Sequence, residues 1–535
     1  MIGIRRGAWV APLAVVWALG CSASGDDDDA TPGAAATGGS APASGVGGPA
    51  AGTTAPGSGA GGASGTTASG AGVGGQAPAG GAGGMIGGAS GTTAVGGAGG
   101  TTPPPATPAD SWTMMGGDAR NTHYNASEKK LTVENAPMLQ EIWTKTIAGY
   151  PPGSPLVVDG KVFVMATGGT YAFDLATGNQ LWANLEIGGT ASLAWDGAFI
   201  YAHANVPQRA TLYKLNPADG KPVWGPVKTY DHVDADGTSS PIVGGGKVLV
   251  GHSTTAEILS PNYVTAHGGV FAAHTDSGME AWHYWTTGTP DSPENGVMVW
   301  SSVSIHEGVV YASTGNNYSV AGANSDAIHA IDLATGVKKW VKQVRANDIW
   351  ILGGAGEDTD FGANPTVVDI GGKKLVAAGD KASAFWALDR DTGAILWTRA
   401  DLSPSHFAAN GGVLNNGASD GQFFYVISND PTGGKSMLHK LEPVEGKDAW
   451  PPITFPKTTW GAPSLANGLL VVPVDNELVI INAATGAELK RFDTGGSIAA
   501  GAAAIVDGKI VVQSGLEYPL GAPMPNNEIR CYGLK

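Results

Sequence analysis

One phrase recurs along the chain: YAFDLATGNQLW (171–182), LYKLNPADGKPVW (212–224), VFAAHTDSGMEAW (270–282), IHAIDLATGVKKW (328–340), FWALDRDTGAILW (385–397), LHKLEPVEGKDAW (438–450) and LVIINAATGAELKRF (478–492). Each copy is an apolar strand, a turn built on Asp or Asn and Gly, and a second strand ending in an aromatic residue. Self-similarity at this period means one supersecondary unit made repeatedly, because a single unit cannot bury its own apolar face.

Between the copies lie eight further hairpin signals: Asp159-Gly160, Asp196-Gly197, Gly245-Gly246, Glu307-Gly308, Gly371-Gly372, Asp420-Gly421, Asn467-Gly468 and Asp507-Gly508. Such pairs tolerate the positive φ angles of tight two-residue turns. Two hairpins per unit make a four-stranded antiparallel blade. The closing aromatics are Trp143, Trp182, Trp224, Trp282, Trp340, Trp397, Trp450 and Phe492, and the first has no phrase before it. The lone strand EIRCYGL (528–534) supplies that missing half. The expected fold is therefore all-β, an eight-bladed β-propeller whose ring closes by pairing the N- and C-terminal strands, so that no sheet edge is left open. Residues 111–535 divided by eight give about 53 residues per blade, near the upper end for propeller repeats. The closing aromatics are assigned to packing between blades.

What precedes the repeats is of a different character. Residues 1–21 carry Arg5 and Arg6, an apolar run from Ala8 to Leu19, and then Gly20-Cys21. A run of about a dozen residues is too short to cross a bilayer and reads as an export signal. Its end, ALGC, resembles the bacterial lipoprotein box, with leucine one place later than usual; the resemblance makes Cys21 a lipidation candidate and the membrane a partner through that anchor. A plain secretory signal with a chance Cys is the other reading. The expected location is the bacterial cell envelope, in the periplasm or on an outer face. Residues 22–110 are almost wholly Gly, Ala, Ser, Thr and Pro apart from Asp26–Asp29. Such a stretch cannot bury enough apolar surface to offset its ordering entropy, so it reads as a flexible tether, about 50 Å root-mean-square as a random coil.

The chain has a net charge of −16; residues 1–110 hold two Arg and five Asp, which leaves −13 on 111–535. An acidic surface repels phosphate backbones and argues against nucleic-acid binding. The only cysteines are Cys21 and Cys531, so with Cys21 lipidated no intramolecular disulfide could form. There is no CxxCH, hence no c-type haem attachment is expected. The eleven His show no HExxH-like spacing and are expected mostly on blade surfaces. TYDHVDADGTSSP (229–241) lacks the alternation and terminal Glu of a calcium loop and reads as a connection between blades.

The AxDxxTGxxxW phrase, with SWTMMGGDARNTHYN (111–125), VYASTGNNYSV (310–320), DTDFGANPTVVD (358–369), GDKASAFWALDRDTG (379–393) and GGVLNNGASDG (411–421), resembles the pyrroloquinoline-quinone (PQQ) dehydrogenase propellers. Within them the match is to the polyvinyl-alcohol dehydrogenase branch, without its cytochrome domain. The resemblance implies PQQ and Ca²⁺ near the ring axis. It matches Trp300 to the indole on which the quinone stacks, Glu257 and Asn316 to the calcium ligands, and Lys381 to the cation beside the quinone carbonyls. A flat ligand wants a flat apolar floor, calcium wants several oxygens, and positive charge stabilises a reduced ring. Each residue also has an ordinary role open to it: Asn316 capping a turn, Trp300 in a core, Glu257 solvated, Lys381 paired with Asp380 or Asp389.

Departures from the family pattern matter as much. Alcohol oxidation needs a base for the hydroxyl proton. Where most relatives place an Asp after a Trp, NDIWILGG (347–354) has Trp350 followed by Ile351. Asp348, Asp358 and Asp360 are the nearby substitutes. The adjacent-cysteine disulfide is absent, Asn415 stands where the polymer-oxidising branch has Trp, and an Arg-Gly pair is His267-Gly268 or Gly268-Gly269. Two functions stay open: a membrane-tethered quinoprotein passing electrons to an external acceptor, or a non-catalytic propeller lipoprotein that scaffolds or binds a protein or glycan.

Overall fold

The computed structural model describes residues 110–535 except 355, 406–410, 416, 499–500 and 516–525. The export signal, Cys21 and nearly all of the tether lie outside the described residues. The described residues form eight four-stranded antiparallel sheets. Blade I consists of Leu156–Val158, Lys161–Ala166, Gly169–Asp174 and Gln180–Asn184; blades II to VII span 194–228, 242–285, 304–343, 366–399, 418–455 and 464–493. Blade VIII takes Ala504–Val506, Lys509–Ser514 and Glu528–Gly533 from the end of the chain and its outer strand, Gln140–Thr146, from the beginning. Trp143 pairs with Cys531 across that closure.

The turns form for the reason their residues suggest. In six of the eight predicted hairpins both turn residues have positive φ, as at Asp159-Gly160 (51° and 69°) and Asn467-Gly468 (45° and 79°). In the other two, Gly197 and Gly421 have positive φ and the preceding Asp is not among the positive-φ residues. There the Asp196 and Asp420 carboxylates accept the backbone N–H groups of the following residues and close the loop instead.

The closing aromatics join the blades. The indole N–H of Trp143 donates to Leu175 O of blade I at 3.0 Å, Trp182 to Pro217 O of blade II at 2.9 Å, and Trp282 to Leu333 O of blade IV at 3.0 Å; Trp224, Trp340 and Trp397 repeat the contact. Each ring lies on the turn glycine of the next repeat phrase. A Cβ added to Gly178, Gly220, Gly278, Gly336, Gly393 or Gly446 would come within 2.5 to 2.9 Å of these six indoles. Burying a ring of this size is worth ~5 kcal/mol at about 25 cal/mol per Å². Two seams differ. Trp450 precedes its outer strand, Ile453–Phe455, would be 3.8 Å from a Cβ added to Gly486, and its buried N–H has no partner. Phe492 stacks on Tyr532 with centroids 4.2 Å apart.

Both tight turns of blades I to VII, and the one tight turn of blade VIII, fall on one face of the ring, and a segment of the chain closes that face. Residues 112–125 run along the innermost strands, bonding Val157, Trp195, Ile305, Val367, Ser419 and Leu465 in turn through backbone atoms. The Asn121 amide reaches Val303 O and Pro365 O, and the Asn125 amide reaches Ile505 O. Trp112, Asn121 and His123 are fully buried in this plug. Histidines were expected mainly on blade surfaces, and here the expectation fails: His123, His203, His252, His267, His329 and His439 are buried. Three of them cross-link chain segments, His203 to Ser239 O, His329 to Asn324 O and His439 to Leu402 O. In each the second ring nitrogen meets a side chain, Thr229, Tyr284 or Asp448, so the imidazole bridges a backbone carbonyl and a polar side chain.

The clamp predicts a contrast. Gly372 has φ +76° and open space where a Cβ would go, whereas Gly393 has φ +73° and the Trp340 ring at 2.7 Å. Gly372→Ala should cost about 1–2 kcal/mol from backbone strain alone. Gly393→Ala should cost a further ~1–3 kcal/mol from overpacking. Urea unfolding of the two variants checks this, and equal losses would show that the indole is not close-packed on the glycine.

Candidate active site

With one face given to tight turns and the plug, the longer connections gather at the opposite face. There a cavity of about 120 Å³ opens, lined by Thr238 from the connection between blades II and III, Glu257 from blade III, Trp300 from the connection III–IV, Tyr318 from blade IV, Asp358 from the connection IV–V and Lys381 from blade V. Trp350 and Trp460 add two more indoles, and Ser253, Thr254 and Thr255 a row of hydroxyls.

Lys381 organises one wall. Its ammonium lies 2.7 Å from Asp358 Oδ1, 2.7 Å from Asp360 Oδ1 and 5.2 Å from the centroid of Trp300. Asp360 Oδ2 accepts the Trp300 indole N–H at 3.1 Å. Cation, carboxylate and indole thus hold one another in place. Burial alone would lower the pKa of Lys381, but Asp358 and Asp360 raise it above its ordinary value. Burial raises the Asp358 carboxyl well above the carboxylate range, against the pull of Lys381 and with the help of Asp360. Its second oxygen, Oδ2, is buried without a partner. The partners proposed for Lys381 from sequence were wrong. Asp380 is bound by Arg345 at 2.8 Å, and the Asp389 carboxylate caps its own turn through Thr392.

Glu257 sits on a one-turn helix, Ala256–Leu259, whose backbone O accepts from Leu352 N and so ties blade III to the connection IV–V. Burial pushes its carboxyl up to about 7, opposed by Lys381, and the Tyr318 hydroxyl bonds to it. Asn316 is 2% exposed and lies behind the cavity wall; its amide N–H groups donate to Asn317 O and Trp350 O at 2.8 Å each. Asp348 also lies behind the wall, its Oδ2 accepting from Thr359 N at 2.7 Å and Thr359 Oγ1 at 3.0 Å. The structure therefore brings Trp300, Glu257, Asp358, Asp360 and Lys381 together, and sets Asn316 and Asp348 one layer back. Asn415 supports the neighbouring wall by donating its amide to Trp460 O. His267 is held by the Tyr230 hydroxyl and does not line the cavity.

These residues fit a flat, polar-edged ring system: an indole floor, a cation at one edge and hydroxyls at the other. For a metal, the described residues contain no group of three or more His, Cys, Asp or Glu able to hold an ion, so neutral oxygens would have to complete the shell. Among the carboxylates lining the cavity, Asp358 is held by Lys381, and Asp236 by Arg209 and the Asn205 amide. Glu257 has only a hydroxyl and is the one suited to a cation. Sequence reasoning missed Tyr318, Trp350 and Trp460. The two indoles stand outside the repeat register, which separates them from the clamp tryptophans.

The sequence matches the PQQ family described as glucose/ethanol/alcohol dehydrogenase, β-propeller domain, over residues 112–404, and the outer membrane protein assembly factor BamB family over 381–518. A polyvinylalcohol dehydrogenase from a Pseudomonas species is 26% identical over 64% of this chain and 59% of its own length. A second, from Sphingopyxis, is 25% identical over 72% of this chain and 67% of its own. The chain thus spans about three-fifths to two-thirds of these relatives. The quinohemoprotein alcohol dehydrogenase of Comamonas testosteroni superposes with a TM-score of 0.64 at 19% identity, over 79% of this chain and 80% of that one, a likeness of fold.

The Lys381 wall makes a stability prediction. Lys381→Met should cost about 3–5 kcal/mol by stranding two buried carboxylates. Asp358→Asn in the same background should recover part of that loss, as read by urea unfolding.

Proposed function

The chain belongs to the PQQ family of glucose/ethanol/alcohol dehydrogenase β-propeller domains, and from that membership we propose that it oxidises an alcohol with calcium-bound PQQ in the cavity above Trp300. The observation that carries the reading is the convergence of the Trp300 face, the Lys381 ammonium and the Glu257 carboxyl, bonded among the described residues only by the Tyr318 hydroxyl, on one cavity. PQQ bound there would supply a two-electron acceptor for the hydride leaving the alcohol carbon.

The residues divide the remaining work. Trp300 is the floor. Lys381 presents positive charge at the ring edge, where negative charge develops. Glu257 offers the cation a carboxylate, and Asn316, one layer behind, an amide oxygen. Of the three aspartates near Ile351, Asp358 is best placed to take the hydroxyl proton. It lines the cavity, which Asp348 and Asp360 do not, and Asp360 is further engaged by both Trp300 and Lys381. A base whose pKa is raised toward the working pH is also a stronger one. Residues 1–21 would export the chain and anchor it through Cys21, and an external electron acceptor would complete the cycle.

The alternative, a non-catalytic envelope scaffold, draws on Ile351 and on the match of 381–518 to an assembly factor. Titrating the full chain with PQQ and Ca²⁺ while following tryptophan fluorescence, then adding alcohols and a redox dye, separates the two. Binding with alcohol-dependent dye reduction is expected; absence of binding would leave the scaffold. In the active protein, kcat/KM should rise with pH as Asp358 loses its proton, with the rising limb above the ordinary carboxylate range. Asp358→Asn should abolish that limb and lower kcat by ~10²- to 10⁴-fold.

A further inference from the structure

Behind the cavity two buried carboxyls meet without a counter-charge. Asp326, at the end of the blade IV loop, is 1% exposed, and its oxygens are buried without a well-aligned donor, the Ser325 hydroxyl being the neutral group beside them; Asp348 Oδ1 is likewise buried and unpartnered. The two side chains are within hydrogen-bonding reach of each other. The other groups facing them are acidic or neutral: Asp360 acts on both, the Ser325 hydroxyl on Asp326, and Thr359 on Asp348. The nearest cations are committed elsewhere, Lys381 to Asp358 and Asp360, and Arg345 to Asp380. Two ionised carboxylates in contact in a low-dielectric interior repel strongly, while one proton between them converts the contact into an O–H···O⁻ hydrogen bond.

We propose that Asp326 and Asp348 hold one proton between them and serve as a latch that fixes the 344–365 connection against blade IV. What the latch positions follows from the bonds around it. Asp348 Oδ2 accepts from Thr359 N, next to Asp358, and Asp348 O accepts from Asn317 N at 3.0 Å, next to Asn316. Trp350 O, two residues on, receives the Asn316 amide. The pair is a positioning device: neither carboxyl lines the cavity, but Trp350 and Asp358 do. Burial, then Asp348 and Asp360, push Asp326 up to about 9, and burial raises Asp348 too. The sign follows by linkage. The folded state holds a proton that the unfolded state releases near pH 4, so this pair's contribution to stability falls as pH rises from about 4 to about 9, where the proton leaves the folded state as well.

The inference needs neither quinone nor metal, so it stands or falls separately from the proposed activity. Its test uses the full chain in chelator. The melting temperature is measured from pH 5 to 10, hydrogen exchange is followed in peptides covering 344–362, and the carbonyl stretch of a protonated carboxyl is sought by infrared difference. In the native protein the melting temperature should fall and exchange should quicken as pH approaches 9. Asp326→Asn, whose amide N–H can donate to Asp348 in the proton's place, should make both trends shallower and remove this pair's share of the infrared band, leaving that of Glu257 and Asp358. Asp326→Ala should exchange about tenfold faster already at pH 6, as expected for one lost buried hydrogen bond. If Asp326→Asn does not fold, Asp348→Asn is the second variant, with the same flattening expected. Equal pH slopes in the native protein and the Asn variant would overturn the latch. So would stabilisation by added Ca²⁺ that Asp326→Asn abolishes, which would put a cation where the proton is placed.

Discussion

The indole laid on a turn glycine across six of the eight blade seams is the contact on which the ring depends. A four-stranded blade has two faces and can satisfy only itself through backbone hydrogen bonds. What fixes its angle to the next blade is side-chain packing, and here one Trp per blade supplies both the apolar area and a directional N–H. The two components constrain different things: the ring sets the separation of the blades, and the hydrogen bond to a carbonyl of the next repeat turn sets their register. The phrase is therefore constrained at both ends. The glycine must have no Cβ because the preceding blade's Trp occupies that space, and the Trp must be an indole because a carbonyl awaits its proton. At the seam between blades VI and VII the Trp450 N–H has no acceptor, and between VII and VIII two stacked phenyl-type rings replace the indole. These neighbouring seams lie beside the blade that the two chain ends complete together.

Ring closure alone would leave a channel open at both ends. The plug of residues 112–125 removes that symmetry, using main-chain bonds to successive inner strands and two buried amides. Because hairpin turns are short, the plugged face has little chain to spare for chemistry. The opposite face carries the connections between strands two and three and between blades, and these have length enough to fold inward. The position of the cavity is thus a consequence of where a four-stranded meander must put its short and long links.

How much of this was legible depended on range. Turn chemistry is local, so Asn467-Gly468 and its counterparts could be read from two residues, and the closing strand from one unpaired segment of the repeat. Trp300, Glu257 and Lys381 were recognisable because they sit in motifs resembling a known pocket. Their partners were not. Lys381 is adjacent in sequence to Asp380, yet its carboxylates come from Asp358 and Asp360 on another connection, because Asp380 points to Arg345. Nothing in a linear pattern says which of several aspartates faces a lysine, and the same limit hid the burial of the histidines. Asn316 shows the intermediate case: the loop was identified, but which way its amide turned depended on Trp350 O, contributed from beyond the next two strands.

Charge gives the cavity its character. Glu257 and Asp358 line the cavity with Lys381 and Asp360 beside them, and Asp326 and Asp348 lie one layer back; among the described residues Lys381 is the cation paired with members of this group. Burial raises Glu257, Asp326, Asp348 and Asp358 alike, favouring the protonated form of each relative to water. Replacing Ile351 by a carboxylate would add another unbalanced charge to a wall that has already reached that limit. The divalent cation proposed beside Glu257 would act in the opposite direction, favouring the ionised forms around it, and its entry would be coupled to proton release. Asp358 is the lining carboxylate on which these opposed effects meet: burial raises it while Lys381 at 2.7 Å lowers it.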